Sequence, residues 1–200
     1  MIDQLKYYDR LASVWINQHS HPFLDELMWF ISSSTPFLLL IFIAVFNSNR
    51  KDGLRGMWLF FGFLLLAFAL SDLVSARAFK EVFMRLRPSH NPNLADIIQL
   101  YTQPNGELYR GGLYGFVSSH AANFASLVTF IILYFKPPMK FVLLMTLTHL
   151  LVIYSRVYLG VHYVGDVVGG SLVGIACGIT IWKIRSLILS KLMDSNSLQR

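Results

Sequence analysis

The chain has 200 residues, of which 54% are hydrophobic and only 14% charged. A water-soluble domain of that length has no use for so much apolar surface, so composition excludes an ordinary soluble enzyme and points to a single membrane-embedded unit over 1–200. The formal net charge of +6 then reads as basic cytoplasmic loops and affinity for anionic lipid, not as a nucleic-acid surface.

Residues 1–20 contain "IDQLKYYDRLASVWINQ", in which Ile2, Leu5, Leu11, Val14, Trp15 and Ile16 alternate with charges and amides. The pattern predicts an amphipathic helix lying in the membrane interface. Asp3, Lys6, Asp9, Arg10 and His19 interrupt every apolar core, so no cleavable leader is expected here. Five apolar runs follow, at 23–46, 57–79, 117–135, 139–158 and 164–189. Each reaches the roughly 20 residues that a helix needs to cross the hydrocarbon, and a helix satisfies its own backbone groups there. The expected fold is an all-α integral membrane protein with five transmembrane helices and an N-terminal interfacial helix. The lone Cys177 lies in an apolar run and can form no internal disulfide.

The connections set the orientation. Arg50, Lys51 and Arg55, then Lys136 and Lys140, then Lys183, Arg185, Lys191 and Arg200 fall on one side if the helices alternate. The positive-inside rule makes that side cytoplasmic. The segments 80–116 and 159–163 then face outward. The first holds "SHNPNLADIIQLYTQPNGELYRGGLYG", rich in turn residues, with one short helix expected at "LADIIQLY". A long ordered loop in a small bundle is usually functional.

Three polar clusters meet at these outer ends: Lys80 with Arg87-Pro88, then Ser118, Ser119 and His120 at a helix start, then Ser155-Arg156, His162 and Asp166. Three cations, two histidines, a carboxylate and hydroxyls suit an anion with several oxygens, a phosphate. Arginine forks pair bidentately with phosphate and lysine adds a point charge. The helix start at Ser118 offers unpaired N–H groups. Asp166, four residues after His162, can orient its imidazole, and His120 is placed as a general acid for a leaving alkoxide.

Lys-(six residues)-Arg-Pro, Ser-x-His and Ser-Arg-(five residues)-His-(three residues)-Asp together resemble the three-part signature of the type-2 phosphatidic acid phosphatases, membrane lipid phosphatases related to vanadium haloperoxidases. The first and third parts match at every fixed position. The second usually reads Pro-Ser-Gly-His, and here Val117 and Ser119 replace the proline and glycine. The resemblance implies His162 as nucleophile forming a phosphohistidine, Asp166 as its orienting partner and His120 as acid and then base. It implies Lys80, Arg87, Arg156, Ser118 and Ser119 as the phosphate cradle, with no metal and no cofactor. The substrate implied is a membrane lipid phosphate or diphosphate: undecaprenyl diphosphate first, then phosphatidylglycerol phosphate, phosphatidic acid or a lipid A phosphate. It would be cleaved at the outer face of a bacterial cytoplasmic membrane, with no nucleic acid and no obligatory protein partner. The alternatives are a phosphate-lipid transporter, which would carry polar residues through the midplane, and an inactive phospholipid-binding relative, which would have lost a histidine or the lysine.

Other residues have plainer readings. Arg85 reads as an interface anchor, and His149 and Asp72 as partners in inter-helix hydrogen bonds. Gly170, Gly174 and Gly178 read as a close-packing face on the helix that carries Asp166. Trp15, Trp29, Tyr109 and Tyr114 read as interfacial aromatics, and His90 as a loop histidine.

Overall fold

The computed structural model describes residues 1–33 and 35–197, and their side chains except those of 2, 35, 37–39, 41–52, 55 and 192–197. Arg50, Lys51, Arg55 and Arg200, used above for orientation, lie outside the described side chains. The architecture is all-helical: α1 (Ile2–Gln18), α2 (Pro22–Ser32), α3 (Thr35–Leu73), a short α4 (Glu81–Phe83), α5 (Ser119–Phe135), α6 (Met139–Tyr158) and α7 (Val164–Ser197). Among the described residues there is no strand, only the isolated bridges Leu86–Tyr114 and Thr102–Leu108.

Helix α5 is the centre. Residues 121–128 are buried without interruption, and Phe130 and Ile131 with them, as expected of a helix apolar on every side. Phe60, Leu64 and Ala67 of α3, Met145 and Val152 of α6 and Ile181 of α7 close the core around Phe124, Leu127 and Phe130. The outer helices turn their other apolar side chains outward. Leu65, Leu66, Leu143, Leu147, Leu172 and Leu187 are all at least half exposed.

Among the described residues three helices are long and apolar enough to cross a membrane: Gly56–Phe83, Met139–Tyr158 and Val164–Lys191. Only 22–39% of their apolar windows is buried, so what remains must face lipid, because water would not tolerate it. The shorter apolar α5 fills the middle of the bundle.

The run at 23–46 differs from expectation. Helix α2 ends at Ser32, Ser33 is extended (φ −74°, ψ −176°), and α3 begins at Thr35. The stretch "SSSTP" accounts for it. Ser33 turns both its amide and its hydroxyl onto the Phe30 carbonyl, and Pro36 has no N–H with which to continue the helix. Helix α3 itself breaks at Gly53, whose φ of 64° only glycine adopts without strain.

Two further expectations concern packing. Each glycine of the 170/174/178 stripe meets the α5 backbone. A Cβ there would lie 2.5 Å from the Ser118 carbonyl, 2.1 Å from that of Ala122 and 2.6 Å from that of Ser126. The stripe is therefore a close-packing face. His149 reaches Ser171 at 2.9 Å and Asp72 accepts from Asn123 at 3.0 Å, so both take part in inter-helix bonds as expected.

The short helix expected at "LADIIQLY" is absent. A 3-10 turn at Pro92–Leu94 is followed by one turn closed on the Leu94 carbonyl. The reason is tertiary: Asn17 of α1 donates to the Gln99 carbonyl and accepts from the Gln99 amide, both at 2.8 Å, which holds that backbone straight.

Candidate active site

The site lies where the long loop, the start of α5 and the α6–α7 connection meet. A π-helical turn, Val74–Lys80, sets the register in which Lys80 arrives. Such widened turns are frequent at functional sites. Lys80 Nζ donates to Ser119 Oγ at 2.6 Å, and Ser75 bonds the same oxygen at 2.8 Å. The Leu86–Tyr114 bridge, closed by Arg87 N–H to the Leu113 carbonyl and Gly115 N–H to the Arg85 carbonyl, holds the first cluster against the second. Arg87 is buried and donates to the carbonyls of Tyr114 (3.1 Å) and Val161 (3.3 Å). Arg156, at the end of α6, is 2% exposed. It donates to Ser32 Oγ and, at 2.8 Å, to the Tyr109 hydroxyl, while its Nε has no partner.

Ser118 is the N-cap of α5. Its hydroxyl accepts from the Ala121 amide and its own amide donates to the Asp166 carbonyl at 2.9 Å. Ser118 thus ties the start of α5 to α7, and Ser119 is the hydroxyl that meets Lys80. His120 follows on the first turn of α5.

His162 lies in the connection between α6 and α7, 1% exposed, with Nδ1 3.4 Å from Asp166 Oδ2. Asp166 is fully buried. Its Oδ2 also accepts from the Tyr163 amide at 3.0 Å, closing half of a capping box at the start of α7. Its Oδ1 accepts from Arg85 at 2.8 Å, and Arg85 bonds Asp9 of α1 at 2.7 Å. Arg85 is therefore no free interface anchor: two carboxylates hold its guanidinium.

The electrostatics are one-sided. Among the described residues the ion pairs are Arg85–Asp9, Arg85–Asp166 and His162–Asp166, so Lys80, Arg87 and Arg156 have no carboxylate partner. Burial, then Arg87, Arg156 and Lys80, push the pKa of His162 well below its usual value, leaving a neutral imidazole. Burial and the nearby Arg156 lower that of Arg87 to about 10, so it keeps its charge at neutral pH. Buried cations without counter-ions are costly, and an anion with several oxygens is what relieves them.

Four contributors were not expected at the site: Ser32 and Asp9, which carried no signal for it, and Tyr109 and Arg85, which read as interface residues. Tyr109, expected as an interfacial aromatic, packs against Trp29, with ring centroids 4.8 Å apart, and reaches Arg156 with its hydroxyl. The only signal in the sequence was a tyrosine in a loop already suspected of function. His90 is a loop residue beside Ser89, as expected.

Fold and site together describe a membrane-embedded helical bundle that gathers Lys80, Arg87 and Arg156, cations without carboxylate partners, around His162. Comparison with known proteins agrees. The PAP2 superfamily profile matches residues 57–188. A lipid A 4'-phosphatase of Porphyromonas gingivalis is 32% identical over 176 residues, covering 88% of this chain and 72% of that protein. One of Bacteroides thetaiotaomicron is 30% identical over 184 residues, covering 87% and 75%. Two solved structures resemble it: Aquifex aeolicus LpxE (TM-score 0.63, 27% identity, 86% and 93% covered) and, in fold, a transmembrane PAP2 type phosphatidylglycerolphosphate phosphatase from Bacillus subtilis (TM-score 0.68, 24% identity, 92% and 88% covered). The chain belongs to the PAP2 superfamily. It is an integral membrane protein and a hydrolase of phosphoric esters.

Proposed function

We propose that the chain removes phosphate from a membrane lipid through a phosphohistidine on His162, with five spans and the site at the outer face of the cytoplasmic membrane. The observation that carries this reading is the trio Lys80, Arg87 and Arg156, three cations without carboxylate partners beside a buried neutral histidine. Nε2 of His162 attacks phosphorus while Asp166 holds Nδ1, and the phosphorus–oxygen bond to the lipid breaks. His120 gives a proton to the departing lipid oxygen. Water, deprotonated by His120, then attacks the phosphohistidine, and inorganic phosphate leaves. The three cations neutralise the charge that gathers on the equatorial oxygens at both steps, so no metal is required.

The relatives' names support a lipid A phosphate as first candidate substrate, ahead of the undecaprenyl carrier. The test is phosphate release by the purified protein in detergent, with EDTA present, from lipid A phosphate, undecaprenyl diphosphate, phosphatidylglycerol phosphate and phosphatidic acid. Release from at least one is expected, greatest from lipid A phosphate, and vanadate, which resembles the pentacoordinate transition state, should inhibit it. Activity lost in EDTA and restored only by magnesium would rule out this mechanism. No release from any of them would favour a transporter or an inactive binder.

Orientation is tested separately. In a Cys177→Ser background, an impermeant thiol reagent added outside intact cells should label Asn105→Cys in the long loop and not Asp52→Cys. The reverse pattern would place the site on the cytoplasmic face.

A further inference from the structure

The N-terminal helix is bound to the start of α7 by polar contacts that its interfacial character does not explain. Tyr163, at the N-terminal boundary of α7, has no side-chain acceptor for the first amides of that helix. Helix α1 supplies them: Ser13 Oγ accepts from Val164 N–H at 2.9 Å and Asp9 Oδ1 from Gly165 N–H at 2.7 Å. The other oxygen of Asp9 holds Arg85 at 2.7 Å, and Arg85 holds Asp166 at 2.8 Å. The Arg85 guanidinium also lies 3.9 Å from the centre of the Tyr163 ring. Asp9, Arg85 and Asp166 thus form an unbroken chain that ends on the carboxylate beside His162.

We propose that Arg85 and Asp9 are positioning residues for the Asp166–His162 pair, which makes α1 part of the catalytic machinery; the proposal rests on the assignment of His162 as nucleophile. Asp166 is fully buried, and among the described residues Arg85 is its only ion-pair partner besides His162. Without a cation a buried carboxylate favours its neutral acid, and a protonated Asp166 no longer holds the imidazole in the orientation that leaves Nε2 for phosphorus. Arginine is long and flexible, and this one is 28% exposed, so Asp9 on its far side, with the Tyr163 ring below, keeps the fork directed at Asp166. The contribution proposed for this partly buried pair is to orientation.

Arg85 lines a groove of about 760 Å³ together with Lys6, Arg10, Phe83 and Phe116, so a small cation can enter the space that a truncated side chain leaves. In Arg85→Ala, kcat should fall by about 10–100-fold, in the range seen when groups behind a first ligand are removed, with KM for the lipid unchanged. Guanidinium at non-denaturing concentration should restore part of kcat, while sodium chloride of equal ionic strength should not. Asp9→Asn keeps the acceptor for Gly165 N–H and removes the negative charge that faces Arg85. It should lower kcat about tenfold without a matching loss of thermal stability. Wild-type kcat in Arg85→Ala, a loss confined to KM, or a folded variant that guanidinium does not revive would overturn the proposal. Should Arg85→Ala not fold, Asp9→Asn decides alone, and unchanged kcat there overturns it. His162→Ala run alongside separates the two levels: turnover by that variant defeats the nucleophile assignment, whereas a dead His162→Ala with an unimpaired Arg85→Ala defeats only this inference.

Discussion

His162→Ala should have no measurable turnover on any substrate, whereas His120→Ala should lose activity in proportion to how poor the leaving group is. The difference follows from the two steps. Without His162 there is no nitrogen to accept the phosphoryl group, whatever departs. Without His120 the phosphoryl group still transfers if its leaving oxygen needs no proton. A lipid alkoxide needs one; an aryl oxide needs it far less. A general acid contributes about 10²–10⁴-fold, so His120→Ala should retain relatively more activity on an aryl phosphate than on a lipid phosphate. Rapid quench with radiolabelled substrate should trap acid-labile, base-stable label on the wild type and none on His162→Ala. The pH profile adds an independent check. Burial and three cations depress the pKa of His162, so the proton that would block attack binds only at lower pH. The acid limb of kcat/KM from this group should therefore fall below 6.5, the ordinary histidine value. Substantial turnover by His162→Ala, or label remaining on it, would show that the roles are assigned wrongly.

How far the sequence could be read depended on whether a residue's partner was local. His162 and Asp166 are four apart, and Ser118 caps the helix whose first turn carries His120, so their relation follows from helix geometry alone. Membrane embedding followed from apolar length, which depends on composition rather than contacts. Arg85 was misread because its partners, Asp9 and Asp166, are 76 and 81 residues away. Seen alone, an arginine near a helix end is an anchor. Tyr109 and Ser32 reach Arg156 across 47 and 124 residues, and nothing near either residue in sequence announces that contact. The loop at 94–101 has the composition of a short helix, and a single asparagine of α1 holds its end extended. Tertiary hydrogen bonds overrode local preference there, as they commonly do in loops. The break at Ser33 belongs to a different class. It was readable, since "SSSTP" is a poor helix interior, but hydrophobicity averaged over the whole run concealed it.

Gly174→Ala should unsettle the protein more than any other single-methyl change along the face of α7 that packs on α5. Ordinarily glycine to alanine inside a helix stabilises by roughly 1 kcal/mol. Here the added carbon would lie 2.1 Å from the Ala122 carbonyl oxygen and within 3 Å of that residue's Cα. These are backbone atoms of a buried helix and cannot swing aside, so α5 and α7 must separate by about an ångström to restore van der Waals distance. Forcing a packed interface apart costs about 1–3 kcal/mol or more, which outweighs the gain in helix propensity. The chemical cost is larger, because α5 carries Ser119 and His120 while α7 carries Asp166, and the Ser118 amide is bonded directly to the Asp166 carbonyl. A misplacement of about 1 Å in an active site costs about 10²-fold in rate. Gly174→Ala should therefore lower both the thermal midpoint in detergent and kcat. Gly170→Ala, whose methyl would press on the Ser118 carbonyl at 2.5 Å, should lose more rate for the same loss of stability. Gly62→Ala is the control: nothing lies within 4 Å of its added carbon, so stability should stay level or rise and kcat should not change. Wild-type midpoint and rate in Gly174→Ala would mean that the two catalytic helices do not depend on this contact for their spacing.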